Sequence, residues 1–383
     1  MSAEVTLPGG RRLRLAGGVG HPRPAAPATG RIAYAAAHVV ADPTAENVPG
    51  APAVLDWDRT LAFRHHLWSY GLGVAEAMDT AQRGMGLDHR ATRELIRRSA
   101  AEARAVGGRI VAGVATDQLP AGPATLAQVT AAYREQFDDT VAAGARPVLM
   151  CSRHLAAAAR GPEDYLRVYD ELLSASDTPV VLHWLGPMFD PALSGYWGST
   201  DLDLAADTVV ELLKLHAGKV DGIKVSLLDA GREIALRRRL PAGVRLYTGD
   251  DFHYPELIRG DEQGHSDALL GVFAAIAPAA AAALAALDGG DLAAYDAIFA
   301  PTVPLARHLF AAPTWNYKTG IVFLAWLTGH QDHFTMVGGL QSGRSPAHLA
   351  TLLTLAEAAG LLPDAELAAA RARALFTVAG VPQ

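Results

Sequence analysis

Cysteine occurs once in the 383 residues, as Cys151, and lysine only four times, as Lys214, Lys219, Lys224 and Lys318. A single thiol excludes an internal disulfide and any zinc site built on cysteine pairs. Long apolar runs are scarce as well. The one uncharged stretch long enough to span a bilayer, Ala268 to Leu287, is interrupted by Gly271 and Pro278 and reads as two elements of a folded domain, so no membrane partner is expected. The N-terminus, MSAEVTLPGGRRLRL, has no apolar core of signal-peptide type, and a cytoplasmic protein is expected. Charge blocks and tandem repeats are missing too. With a net charge of -7 and scattered arginines, nucleic acid is not an expected partner. Half of the residues are hydrophobic, enough for a sizeable core.

Because positive charge is written almost entirely as arginine, a lysine inside an apolar segment stands out. Lys224 lies in KVDGIKVSLLD, Lys219 to Asp229, a short strand (Val220, Ile223, Val225) that opens into a loop. A free lysine has a pKa of about 10.4 and becomes a nucleophile near neutrality only where apolar or cationic surroundings lower it. A strand end in a barrel mouth is such a setting; a lysine snorkelling from an edge strand is the plainer alternative.

In chain order, Val5 to Leu7 and Arg11 to Leu15 flank Pro8-Gly9-Gly10, a hairpin signal read as a covering strand pair, followed by a proline-rich connector, His21 to Thr29. Buried strands are expected at Arg31 to Val40, Gly73 to Met78, Arg109 to Ala115, Pro147 to Met150, Pro179 to Trp184, Val220 to Val225, Val244 to Tyr247 and Ala268 to Phe273. Helical patterns separate them, the first capped by Asp56. Eight strands alternating with helices at the period of one βα unit indicate an α/β protein, a (β/α)8 TIM barrel. A doubly wound open sheet is the runner-up, but no glycine-rich phosphate loop joins an early strand to a helix; Gly17-Gly18-Val19-Gly20 precedes the connector. After Pro278 only helical patterns follow. The expected organisation is a hairpin and connector over residues 1–30, the barrel over 31–277 and a C-terminal helical appendage over 278–383.

Barrel chemistry sits at the C-terminal ends of the strands. Those ends supply Asp79, Thr80 and Gln82 after the second strand, Thr116 and Asp117 after the third, and Ser152, Arg153 and His154 after the fourth. His183 and Trp184 end the fifth strand, Lys224 and Ser226 the sixth, and Gly249, Asp250, Asp251 and His253 the seventh. This is a polar and aromatic set, suited to a small, oxygen-rich molecule.

VDGIKVS, preceded by PVVLHW and followed by RLYTGDD, then by an alanine-rich helix, GDLAAY and YKTGIVFLAWLTG, resembles the dihydrodipicolinate synthase and N-acetylneuraminate lyase superfamily of Schiff-base aldolases. The match of order and spacing runs from about Ala75 to about Leu362. The resemblance implies that Lys224 forms an imine with a 2-oxo compound, that no cofactor is needed, and that the chain assembles as a homodimer or homotetramer. Two departures bear on the substrate. His183 stands where the family has a proton-relaying tyrosine, and Asp79-Thr80-Ala81-Gln82 replaces the Thr-Thr-Gly-Glu loop that binds a carboxylate. An acid at that place disfavours pyruvate, and a sugar-derived carbonyl compound, a small keto-sugar or keto-acid, is the expected partner.

Two chemistries follow. In the first, a lyase or aldolase, Lys224 attacks the carbonyl, His183 moves protons, and Asp79, Thr80, Gln82, Arg153, His154, Trp184, Ser226, Asp250, Asp251 and His253 bind substrate, with no metal. In the alternative, a sugar isomerase or epimerase, His183, Asp250, Asp251 and His253 hold a divalent cation. The loop Gly186 to Thr200 carries Phe189, Tyr196 and Trp197, either a lid over a sugar face or rim packing. His65 and His66 read as surface or interface residues. Asp332 and His333 are placed at the barrel mouth or against a partner. Surplus apolar residues after Pro278, among them Phe299, Phe310, Trp315, Phe323 and Trp326, read as either a second layer over the barrel or a subunit interface, with the resemblance favouring the interface.

Overall fold

A computed structural model describes residues 3–18 and 20–383. Two short strands, β1 (Glu4–Thr6) and β2 (Arg12–Arg14), pair antiparallel across the Pro8-Gly9-Gly10 turn. Eight further strands follow: β3 (Ala33–Ala36), β4 (Gly73–Glu76), β5 (Ile110–Val114), β6 (Arg146–Leu149), β7 (Val180–Leu185), β8 (Val220–Ser226), β9 (Arg245–Thr248) and β10 (Asp267–Leu270). They pair in parallel in chain order and close by pairing β10 with β3, a complete (β/α)8 barrel.

The strands are nearly continuous runs of buried residues because they are covered on both faces. Tyr34, Ala75, Val111, Val148, Val181, Tyr247 and Leu269 form one cluster that fills the barrel; the alternate residues, such as Val74, Val114, Leu149, Leu182 and Leu246, pack outward with the helices. Helices begin where a short polar side chain accepts from the first turn: Asp56 from the Arg59 amide, Thr125 from Gln128 in a full capping box, Asp229 from Arg232. The last barrel strand, β10, ends at Leu270 rather than at Phe273 as expected. Phe273 opens the helix Phe273–Asp288, which is kinked at Ile276 (φ -122°, ψ 23°), two residues before Pro278, so the proline falls in the first turn after the kink.

The hairpin does not cover the barrel. It docks on the C-terminal helices, where the Thr6 amide donates to Gln383 Oε1 (3.0 Å), the Ala16 amide to Glu357 Oε1 (2.6 Å) and the Gly18 amide to the Leu362 carbonyl (2.9 Å). The helices after Asp288 pack onto the barrel through one continuous core. Phe299, Leu309, Phe310, Phe323 and Leu327 are each at most 1% exposed within the single chain and Trp326 is nearly as buried, so they form the second layer and supply no argument for a partner. His66 is partly buried, packed against Phe63, Tyr70 and His330, whereas half-exposed His65 pairs with Glu102.

Candidate functional site

Backbone register sets the centre of the mouth. His183 on β7, Lys224 on β8 and Tyr247 on β9 are direct partners across neighbouring strands, and therefore point to the same side. Tyr247 belongs to the barrel-filling cluster, which places Lys224 and His183 in the interior one turn of the pleat below the strand ends. The space for the lysine stem comes from Gly249: a Cβ there would lie 2.8 Å from Lys224 Cε and 2.2 Å from Ser226 Oγ.

Lys224 is buried, and its Nζ has no hydrogen-bond partner among the described residues. Burial lowers its pKa, opposed by the nearby carboxylates of Asp79 and Asp251. Asp251 answers in kind. Burial raises its pKa to about 7, against the pull of the Val272 amide, which donates to Oδ1 at 2.8 Å, and of the lysine. Lysine and aspartate thus act on each other electrostatically in buried surroundings that disfavour the charge on either. His183 is fully enclosed. Burial and the Lys224 charge keep its pKa well below the ordinary value; Nε2 lies 3.3 Å from Ser226 Oγ, and Nδ1 has no partner among the described residues.

One wall of the pocket comes from far along the chain. Tyr317 opens the helix Tyr317–Leu327 and places its hydroxyl 2.8 Å from Thr80 Oγ1, within electrostatic reach of Asp79 and Asp251. Burial keeps this phenol protonated well past its usual range. Its ring stacks on Phe310 (4.3 Å between centroids, 16° between planes), and Phe189 meets both rings edge-on. Gly271 makes the approach possible, because a Cβ would stand 2.9 Å from Phe310 Cζ and 3.2 Å from Tyr317 Cε2. Tyr317 is not among the residues that strand-end counting finds; the YKTG segment was the available signal.

Other expected site residues are engaged elsewhere. Trp184 pairs with Val225 on the outward face and packs against helices, since a one-residue step along a strand reverses the side chain. Asp250 spends Oδ1 on the Phe252 and His253 amides and Oδ2 on His253 Nδ1 (2.9 Å), so both residues build the turn after β9. The Gln82 amide donates to the carbonyls of Val337 (2.7 Å) and Met85, tying the turn after β4 to the C-terminal region. His154 has Nδ1 3.1 Å from Thr116 Oγ1 and Nε2 3.1 Å from the Pro120 carbonyl. Asp117 is paired with Arg83. Arg153 stays at the rim, paired with Asp190 at 2.5 Å. Asp332 pairs with Arg59 and Arg371 on the surface, and His333 accepts from the Thr335 amide, both away from this pocket. Tyr196 and Trp197 pack on Tyr165 and Tyr169 beneath the rim; of the three loop aromatics only Phe189 reaches the mouth.

Among the described residues no group of three or more His, Cys, Asp and Glu side chains could hold a metal ion. His183, Asp250, Asp251 and His253 do not converge: Asp250 and His253 bond to each other and to their own turn, while Asp251 and His183 face Lys224.

A closed barrel with a buried lysine at the end of its sixth strand and a helical C-terminal layer has the fold of the dihydrodipicolinate synthases. The chain is similar to the solved enzyme from Aquifex aeolicus (TM-score 0.65, 13% identity, 87% of this chain and 99% of that one), to the chloride-inhibited Acinetobacter baumannii enzyme complexed with pyruvate (TM-score 0.64, 17%, 87% and 100%) and to that of Thermotoga maritima (TM-score 0.64, 14%, 87% and 100%). A comparison with curated proteins returns no match. In sequence the chain belongs to the family described as protein of unknown function (DUF993), whose model matches residues 10–381.

Proposed function

We propose that this protein is a Schiff-base lyase or aldolase acting on a small, hydroxylated keto-sugar or keto-acid. The observation that carries the reading is Lys224: a buried strand-end amine without a hydrogen-bond partner among the described residues, within electrostatic reach of two carboxylates. Asp251 takes the proton from the ammonium, and the freed amine adds to the substrate carbonyl. The carbinolamine then loses its hydroxyl as water, leaving the imine. The Tyr317 phenol, bonded to Thr80, donates to the departing hydroxyl, a role that suits a group buried in its neutral form. His183 holds Ser226 and lines the pocket as a neutral imidazole that accepts or donates a proton at the carbon next to the imine. Asp79 and Thr80 bind substrate hydroxyls. The likeness to barrels solved as dihydrodipicolinate synthases, one of them with pyruvate, supports the imine chemistry. Assembly into a homodimer or homotetramer is proposed on that likeness alone.

The test is inactivation by sodium borohydride in the presence of hydroxylated 2-oxo acids and ketoses. Time-dependent loss of activity of the wild type together with a reduced covalent adduct by mass, and no adduct on Lys224→Met, supports the reading. Absence of trapping with every carbonyl that the wild type turns over contradicts it.

A further inference from the structure

Lys318 is the second lysine at the mouth and has no role in the chemistry above. It is 3% exposed, yet among the described residues its Nζ bonds only to Met85 Sδ (3.3 Å) and the Trp315 carbonyl (3.2 Å), with the Tyr317 ring at 4.9 Å. A thioether is a weak acceptor, and a buried ammonium is normally matched by a carboxylate in contact. Here Asp79 and Asp190 are within electrostatic reach only, and Asp190 is in contact with Arg153 instead. Burial lowers the Lys318 pKa to about 8, so the charge persists at neutral pH. Arg153 adds a second cation beside it. Its Nε is spent on Asp190, both Nη groups have no partner among the described residues, and they lie over Gly84, where an added Cβ would be 3.9 Å away. Gly84 and Met85 are consecutive, so the two cations flank one short turn next to Asp79.

We propose that Lys318 and Arg153 form an oxyanion subsite at the barrel mouth that takes a carboxylate or phosphate group of the substrate, remote from its carbonyl. The missing counter-ion of Lys318 is supplied by the ligand. Asp79 then faces hydroxyl groups between two lysines rather than repelling the anion. Placement relative to the carbonyl rests on the Schiff-base reading; anion binding does not.

Calorimetric titration of the full chain with inorganic phosphate and with malonate tests this without turnover. At least one of the two binds wild type, and the preference identifies a phosphorylated or a carboxylated substrate. Lys318→Met weakens that binding at least about tenfold while the chain stays folded, because an apolar isostere replaces an unpaired buried charge. Wild-type affinity falls about tenfold between pH 7 and pH 9 as the ammonium titrates around pH 8. Arg153→Gln, at a half-exposed position where folding is not at stake, weakens binding several-fold. Failure of both anions to bind wild type overturns the proposal, as does unchanged affinity in both variants. Failed borohydride trapping with intact anion binding would sink only the imine.

Discussion

In the proposed mechanism Lys224, Asp251 and Tyr317 divide the labour through what burial does to each. The same dry surroundings lower the lysine, raise the aspartate to about 7 and hold the phenol neutral, leaving one base and one acid near physiological pH. Asp251 acts as a carboxylate, so kcat/KM is predicted to rise as pH increases through about 7. Asp251→Asn should lose that limb and run about 10²- to 10⁴-fold slower; a pH profile unchanged in the variant would remove Asp251 from the mechanism. Tyr317→Phe should slow turnover about a hundredfold while borohydride trapping persists, because the imine still forms but water leaves without its donor. Lys224 and Asp251 are legible in the sequence because each ends a strand that apolar runs mark. Trp184 misleads by the same rule: its position at a strand end is right, but only pairing registers tell which side of the pleat it takes.

The helix Tyr317–Leu327 brings half of the mouth from ninety-odd residues after Lys224, and it is buried on every side. Such a helix has no polar face to say how it is turned, so its first two residues could not be aimed into the barrel from sequence. The strands were readable for the opposite reason, since each βα repeat carries its own boundary signals in Gly, Pro and capping Asp or Thr residues. Docking of this helix depends on the narrow passage at Gly271, which also contributes to holding Asp251. Gly271→Ala is predicted to displace the Phe310 and Tyr317 rings and cost about tenfold or more in kcat with the Tm little changed, because misplacement of a catalytic group is felt more in rate than in packing. An unaltered kcat would mean that the Tyr317 hydroxyl is not held to its position.

Over the whole molecule, the barrel stores a second raised acid beneath the turn after β9. Glu233 accepts from Ser266 Oγ (2.7 Å) and Thr248 Oγ1 (3.0 Å), and burial raises its pKa from 4.5 to about 8. The folded state therefore keeps a proton that the unfolded chain releases above about pH 4.5, and this contribution to stability is present below that value and is lost as pH rises toward 8. Glu233→Gln carries no such penalty; its Tm relative to wild type should improve steadily from pH 5 to pH 8, and a constant difference across that range would show that Glu233 ionises normally.

The proposed mechanism depends on which amine meets the carbonyl. Lys318 is the competing candidate, since it too is buried beside Asp79 with a lowered pKa. Borohydride reduction of the wild type with its carbonyl substrate, followed by peptide mass mapping, separates them. The predicted result is one reduced adduct, on the peptide containing Lys224, and none on Lys318; an adduct on Lys318 or no adduct during active turnover would contradict the account.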